Sequence, residues 1–356
     1  MRSLPDRVAA LTGAGRTRVD RLYDIRSAIG HTVPPPEMAE WLRRTFGSVA
    51  AVERQHLVKV TNLATLEATL FAPLRGRRPF DSGSEGDRLA AEINQTVADP
   101  FCHPDTGTPA DVFGRIRSPR VVTGANAALA DSHHGVLVFD HHHPLRIDAE
   151  LVADVLATGR AWAERSRASD PDAGNYMLIW NCLWRAGGSI VHGHAQALLG
   201  SGPHYARVER WRRDAAAYAA THGTSLADDL VAVHCDLGLA ADGTDGVSVL
   251  AHLTPIKERE VLVVGRPGTD ERDPAFSMAV ARALLAMLGR LGVRSFNLAL
   301  WRAPLDADAG WEGFGPMVRI VDRGDPASRA SDIGALELYG TPVVGTDPWE
   351  VAAALG

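Results

Sequence analysis

The chain has 356 residues and a net charge of -6, long enough for two domains or one duplicated unit. Hydrophobic residues make up 46% and charged residues 22%, a globular balance that excludes wholesale disorder, and the acidic excess argues against a nucleic-acid-binding surface. Three cysteines cannot build a disulfide framework, the first residues lack the apolar core of a signal peptide, and no run reaches the ~18 apolar residues of a membrane span; a cytoplasmic protein without membrane contact is expected.

Residues 1–50, broken by Pro34-Pro35-Pro36, read as a helical extension without chemistry. Residues 57–72 read as strand, ending in the basic turn Pro73 to Pro79, and a Gly/Ser/Asp loop follows from Asp81 to Asp87. Asp99-Pro-Phe-Cys102 opens a further loop. Val136–Phe139 is a short buried strand by its apolar run. Residues 149–167 carry Leu151, Val152, Val155, Leu156 and Trp162 at helical spacing, with Asp148 placed to cap the start. Asn175–Asn181 and Ile190–Leu198 are the next strands, joined through the Gly187-Gly188 turn. A similar order recurs: strand Glu260–Val264, a helix opened by Asp273-Pro274 and stopped by Gly292, then strands Phe296–Leu300 and Met317–Val321. The recurrence reads as an internal duplication, with one unit over 51–225 and a second, degenerate unit over 226–356.

Fourteen histidines are unevenly placed, five of them between His133 and His143 and two in His192-Gly-His194. The segment Ser189-Ile-Val-His192-Gly-His194-Ala-Gln196 carries the clearest chemistry. Alternation along a strand puts His192, His194 and Gln196 on one face, where three polar groups are costly to bury without use. A neutral imidazole there can attack phosphorus. The Gln196 amide and the Ser189 hydroxyl can donate to the phosphoryl oxygens. His133 and His134 read as loop residues near that site or as bystanders, and His252 as a core histidine.

Asn181, Ser189 and His192-x-His194-x-Gln196 together resemble the galactose-1-phosphate uridylyltransferase family, a branch of the histidine-triad superfamily. Weaker matches in the right order extend the resemblance over roughly residues 57–345: Arg75-x-x-Arg78-Pro79, Asp99-Pro-Phe-Cys102, Asn126, the turn from Asp140 to Ile147, and Gly334-Ala-Leu-Glu337. The resemblance implies an α+β fold of two fused histidine-triad-like halves, antiparallel sheets with packed helices. It implies a nucleotidyltransferase in which His194 attacks the α-phosphorus of a nucleotide sugar, holds the nucleotidyl (UMP-like) group covalently, and passes it to a sugar 1-phosphate. Gln196 and Ser189 would serve that transfer. Arg75, Arg78, Asn126 and Asn181 would bind substrate. Asp99, Cys102, His143 and His192 align with the metal ligands of members that hold structural zinc. No organic cofactor is implied, and the relatives' habit implies a homodimer.

Two departures from the family pattern stand out. Gly193 replaces the proline usual between the two histidines, which loosens the backbone and suggests a wider pocket or an altered choice of acceptor. Asp99 replaces a cysteine of the metal set, weakening its thiolate character while still allowing a tetrahedral site. Four alternatives remain on sequence: a phosphorylase with inorganic phosphate as acceptor, a hydrolase, a non-catalytic nucleotide-binding protein on the same fold, and a metal-binding protein built on the histidine cluster.

Overall fold

The structure, a computed structural model, describes residues 1, 3–77, 85–307, 309–328 and 333–356. Two sheets organise these residues. The smaller holds β1 (Tyr23–His31), β2 (Arg54–Asn62), β3 (Ala68–Phe71) and β13 (Val343–Val344), in that order. The larger holds β4 (Val121–Ala125), β5 (His133–Phe139), β6 (Asn175–Cys182), β7 (His194–Gly200), β8 (Ala240–Thr244), β9 (Val247–Ala251), β10 (Val261–Gly265), β11 (Phe296–Trp301) and β12 (Met317–Asp322). Its spatial order is β4-β5-β7-β6-β11-β12-β10-β9-β8, with every pairing antiparallel.

That order reads symmetrically outward from the β6–β11 pair. β4, β5, β7 and β6 on one side answer β9, β10, β12 and β11 on the other, each set interrupted in sequence by one long helix. The duplication expected from sequence is thus two halves of one continuous sheet in an α+β fold. The first fifty residues are not purely helical. β1 pairs with β2 from Tyr23 opposite Asn62 to His31 opposite Arg54, tying this segment into the small sheet. β13 returns near the C-terminus to pair in parallel with β3.

The helix Ala149–Ser169 forms where the sequence predicts it. The Asp148 carboxylate accepts the Leu151 N–H at 2.8 Å, satisfying an end donor that has no intrahelical partner. Its buried stripe of Leu151, Val155, Leu156 and Trp162 packs on the sheet, each large side chain contributing about 1.5–3 kcal/mol on burial. Gly159 lets helix and sheet meet closely: a Cβ there would stand 2.5 Å from the Tyr176 hydroxyl and 2.7 Å from Leu178. The helix Pro274–Gly289 occupies the matching place in the second half and packs against the first helix. With one face of the sheet covered in this way, polar chemistry is left to the other. Gln196 pairs with Ile179, Ile179 with Ala299, and Ala299 with Arg319, so these four residues line that second face. Among the described residues no helix is long and apolar enough to cross a membrane.

Candidate active site

β6 ends at Cys182, and the chain reaches β7 through a tight connection. Gly188 lies so close to the preceding strand that a Cβ would sit 2.8 Å from the Asn181 carbonyl oxygen and 3.0 Å from that of Leu183. Any side chain at this point would push the connection away. Ser189 is exposed in the bend that follows.

β7 begins at His194, four residues later than the Ile190 start expected from the sequence. His192 stands just before the ladder; its ring meets Cys102 and that of His194 meets Phe101, two residues of one loop. The position of His192 is fixed by the Asp99 carboxylate, which accepts the His192 N–H at 3.0 Å. His194 and Gln196 do share a face, lying opposite Val138 and Val136 of β5.

The His194 ring is held in one tautomer. Nδ1 lies 2.8 Å from the carbonyl oxygen of His192 and donates to it, which leaves Nε2 as the lone-pair nitrogen. Burial lowers the His194 pKa, an effect partly offset by the hydrogen bond to His192. The ring is thus kept neutral, the form in which Nε2 is nucleophilic. Phe101 packs edge-on against it at 5.0 Å between ring centres.

Gly193 does not widen the site. The space beyond its Cα belongs to Phe139, whose Cδ2 would be 2.6 Å from an added Cβ. The Gly193 N–H donates to the His142 carbonyl at 3.0 Å, and its own carbonyl accepts the Phe139 N–H at 3.0 Å. A proline would remove the first of these bonds and collide with the ring.

Asp99, Cys102, His142 and His192 bring one ligand atom each within 4.8 Å of one another, a group that can hold a metal ion. The histidine is His142, not His143. His143 is exposed, and its Nδ1 accepts the Leu145 N–H within its own turn. Both clustered histidines are set for coordination. His142 directs Nε2 to the Ile93 carbonyl at 2.9 Å, and His192 directs Nε2 to the Phe139 carbonyl at 3.0 Å. Each ring then turns a bare Nδ1 toward the Cys102 sulfur, at 3.3 and 3.4 Å. A tetrahedral zinc with thiolate and imidazole ligands requires a sulfur-to-nitrogen separation of about 3.5 Å, so the donor set fits. Burial, reinforced by Asp99, raises the Cys102 thiol, so its thiolate form needs a cation as counter-charge.

The expected binding residues fall in three places. Asn181 lies on the polar face of β6 opposite Asn297, whose amide donates to the Asn181 side-chain oxygen at 2.7 Å and to the Ala186 carbonyl at 2.8 Å. Asn126 stands at the end of β4, its amide nitrogen 3.2 Å from Nε2 of His134. Arg75 is exposed on the short 3-10 helix after β3, on the small sheet rather than the histidine sheet. Arg78 lies outside the described residues.

Three further positions join the site only in the structure. His134, read from sequence as a loop residue near the site or a bystander, is buried on β5, 3.0 Å from the Gln196 side-chain oxygen. Its place two residues before Val136 on an alternating strand was the available signal. Asn297 and Arg323, which donates to the Asn297 side-chain oxygen, come from the second half. Beside them a cavity of about 600 Å³ is lined by Arg88, Glu92, Trp184, Arg185 and Arg323 among others.

No family profile matches the sequence, and no curated protein does. Solved structures do. ADP-glucose phosphorylase from Arabidopsis thaliana, with bound ADP-glucose, matches at a TM-score of 0.64 and 17% identity over 83% of this chain and 97% of that one. A GalT-like protein from Arabidopsis thaliana matches at 0.59 and 16% identity over 72% and 90% of the two chains. A uridylyltransferase matches at 0.56 and 18% identity over 83% and 96%. The chain has the fold of the galactose-1-phosphate uridylyltransferase-like proteins, the fold that its histidine motif resembles.

Proposed function

We propose that the chain is a nucleotidyltransferase that works through a covalent nucleotidyl group on His194. The observation that carries the reading is the His194 ring, buried, neutral and held with Nε2 bare by the His192 carbonyl. In the donor half-reaction the Nε2 lone pair forms a bond to the α-phosphorus of a nucleotide sugar. The bond from that phosphorus to the bridging oxygen breaks, and sugar 1-phosphate leaves with the electron pair. In the second half-reaction an oxygen of an acceptor phosphate attacks the same phosphorus and the P–N bond breaks, restoring neutral His194. The Gln196 amide nitrogen would donate to a non-bridging oxygen as charge shifts onto it. Ser189 would add its hydroxyl once substrate covers the exposed bend. Asn181, its oxygen already engaged by Asn297, would offer its NH2 to the phosphate or sugar.

The arginine-lined cavity beside Asn297 is the candidate acceptor pocket, guanidinium groups suiting phosphate. A sugar 1-phosphate is the leading acceptor. Inorganic phosphate is the second, favoured by the likeness to ADP-glucose phosphorylase. Arg75, Arg78 and Asn126 complete the nucleotide side of the proposal. Asp99, Cys102, His142 and His192 would hold zinc, which supplies a structural cross-link between the Asp99 loop, the turn after β5 and the motif. The assembly is proposed to be a cytoplasmic homodimer, with its chemistry in the unit over 51–225.

Intact-protein mass spectrometry after incubation with UDP-glucose or ADP-glucose tests the reading. A mass increase of one nucleotidyl group, absent in His194→Ala, is expected. Its discharge by galactose 1-phosphate, inorganic phosphate or water then identifies the acceptor. A folded protein that gains no adduct from either nucleotide sugar refutes the proposal.

A further inference from the structure

The Gln196 amide can address a phosphoryl oxygen only if its NH2, not its oxygen, faces the substrate. The orientation of an amide is set by its hydrogen-bond partners. Here the partner is His134, buried on β5. The Ala130 N–H points at His134 Nδ1 at 3.2 Å, so Nδ1 carries a lone pair and the proton of the neutral ring sits on Nε2. That N–H faces the Gln196 Oε1 atom at 3.0 Å. Asn126 offers no competing acceptor: its Oδ1 takes the Ala128 N–H at 3.0 Å, and its amide nitrogen stands 3.2 Å from Nε2 as a second donor, which leaves the Gln196 oxygen as the acceptor for the Nε2 proton among these neighbours. Reversing Gln196 would leave that proton facing two donors.

We infer that His134 is a positioning residue, which anchors the Gln196 oxygen inward and thereby aims its NH2 at the transferred phosphoryl group. The inference rests on the reading of the His194 site given above.

The second half supplies the control. β4 and β5 meet with Ala125 opposite Gly135, and the next residue, Asn126, donates its backbone N–H to the His134 carbonyl at 2.7 Å. β9 and β10 meet with Ala251 opposite Val261, and the next residue, His252, donates to the Glu260 carbonyl at 3.0 Å. His252 and Glu260 thus occupy the places of Asn126 and His134. Arg319 occupies that of Gln196, and Met317 that of His194. The second half thus has methionine where the first has its proposed nucleophile, and its three-residue chain runs with opposite polarity: Arg319 donates inward to Glu260, which His252 also contacts at 3.2 Å. The fold accepts either polarity at these positions. Only the half with His194 turns an acceptor inward and a donor outward.

Single-turnover nucleotidylation of the full chain by UDP-glucose or ADP-glucose tests this, whichever the wild type accepts. His134→Leu is expected to slow adduct formation about tenfold with nucleotide affinity within about twofold of wild type, a freed amide retaining part of what outright loss of the donor would forfeit. In a Gln196→Ala background the same substitution should cost less than about twofold, and His134→Gln, which keeps an N–H donor, should restore most of the rate. Equal slowing in both backgrounds, or none in a His134→Leu protein of unchanged melting temperature, overturns the inference. Nitrogen NMR of His134 gives a reading independent of turnover. A ring protonated on Nε2 and hydrogen-bonded to the Gln196 amide supports the inference, and one protonated on Nδ1 overturns it even if no adduct ever forms. Absence of an adduct in wild type refutes the proposed reaction separately.

Discussion

Replacing Gly193 with alanine tests how the motif is built. The new methyl would stand 2.6 Å from Phe139 Cδ2, 3.3 Å from Cε2 and 3.5 Å from Cγ. Phe139 has little freedom to yield. It is 3% exposed, and its ring meets Trp180 edge-on at 4.9 Å. Its backbone is held at both ends, the N–H by the Gly193 carbonyl and the carbonyl by His192 Nε2. Overpacking of this kind costs about 1–3 kcal/mol. Gly193→Pro adds the loss of the N–H bond to the His142 carbonyl, a further ~0.5–1.5 kcal/mol. The strain falls between His192, whose carbonyl orients the proposed nucleophile, and His194 itself. A displacement approaching 1 Å there can cost roughly a hundredfold in rate. Urea unfolding should therefore show Gly193→Ala less stable by about 1–3 kcal/mol and Gly193→Pro less stable still, with nucleotidylation slowed at least about tenfold in both. A Gly193→Pro protein as stable and as fast as wild type would show that Phe139 swings aside at no cost, and the packing argument would fall. That outcome would also reopen acceptor choice as the reason for glycine.

The metal set predicts that zinc measured by emission spectrometry falls to near zero in His142→Ala and Cys102→Ser, while His143→Ala keeps it; loss in His143→Ala with retention in His142→Ala would reverse the assignment. The buried His234 predicts a pH dependence of stability. Its Nδ1 donates to the Leu230 carbonyl at 2.7 Å and its Nε2 accepts the Leu253 N–H at 3.1 Å, so no site is left for a second proton. Burial, helped by His252, pushes its pKa down to about 3. A lowered folded pKa means the unfolded chain binds the proton first. Stability should be complete above the unfolded value near 6.5 and fall by up to about 1.4 kcal/mol per pH unit between there and about 3. Urea titrations of wild type and His234→Gln across this window check it, and equal slopes in the two proteins would refute the assignment.

Strands β2, β5, β6, β10, β11 and β12 and the helices Ala149–Ser169 and Pro274–Gly289 were legible because each carries a complete local signal. The helix Ala149–Ser169 has its cap and its apolar stripe, and β10 is buried along its whole length. β1 was missed because Tyr-Asp-Ile-Arg-Ser-Ala-Ile-Gly-His has a mostly exposed, weakly apolar pattern; it is a strand because β2 pairs with all of it. The start of β7 was set too early for a related reason: Ile190 and Val191 read as strand by their apolar side chains, whereas the Gly193 N–H bonds to the turn after β5 and the ladder begins at His194. The choice between His142 and His143 has no sequence signal at all. Three consecutive histidines in a turn each find a different backbone partner, at Arg146, Ile93 and Leu145, and only the tertiary position of Ile93 decides which ring faces Cys102.

The second half looked degenerate in sequence because it lacks the paired histidines, yet its position makes it part of the site. β6 and β11 pair at the centre of the sheet with Asn181 opposite Asn297. Asn297 fills the Asn181 oxygen, spans to the Ala186 carbonyl in the connection before the motif, and is itself held by Arg323. One amide from the second half thus fixes both a proposed binding residue and the loop that carries Ser189. Duplication leaves two copies of each position, and in a sheet closed at β6–β11 the copy without a nucleophile still borders the copy that has one. Loss of His-x-His there costs the proposed chemistry nothing, while loss of Asn297 would leave Asn181 free to turn.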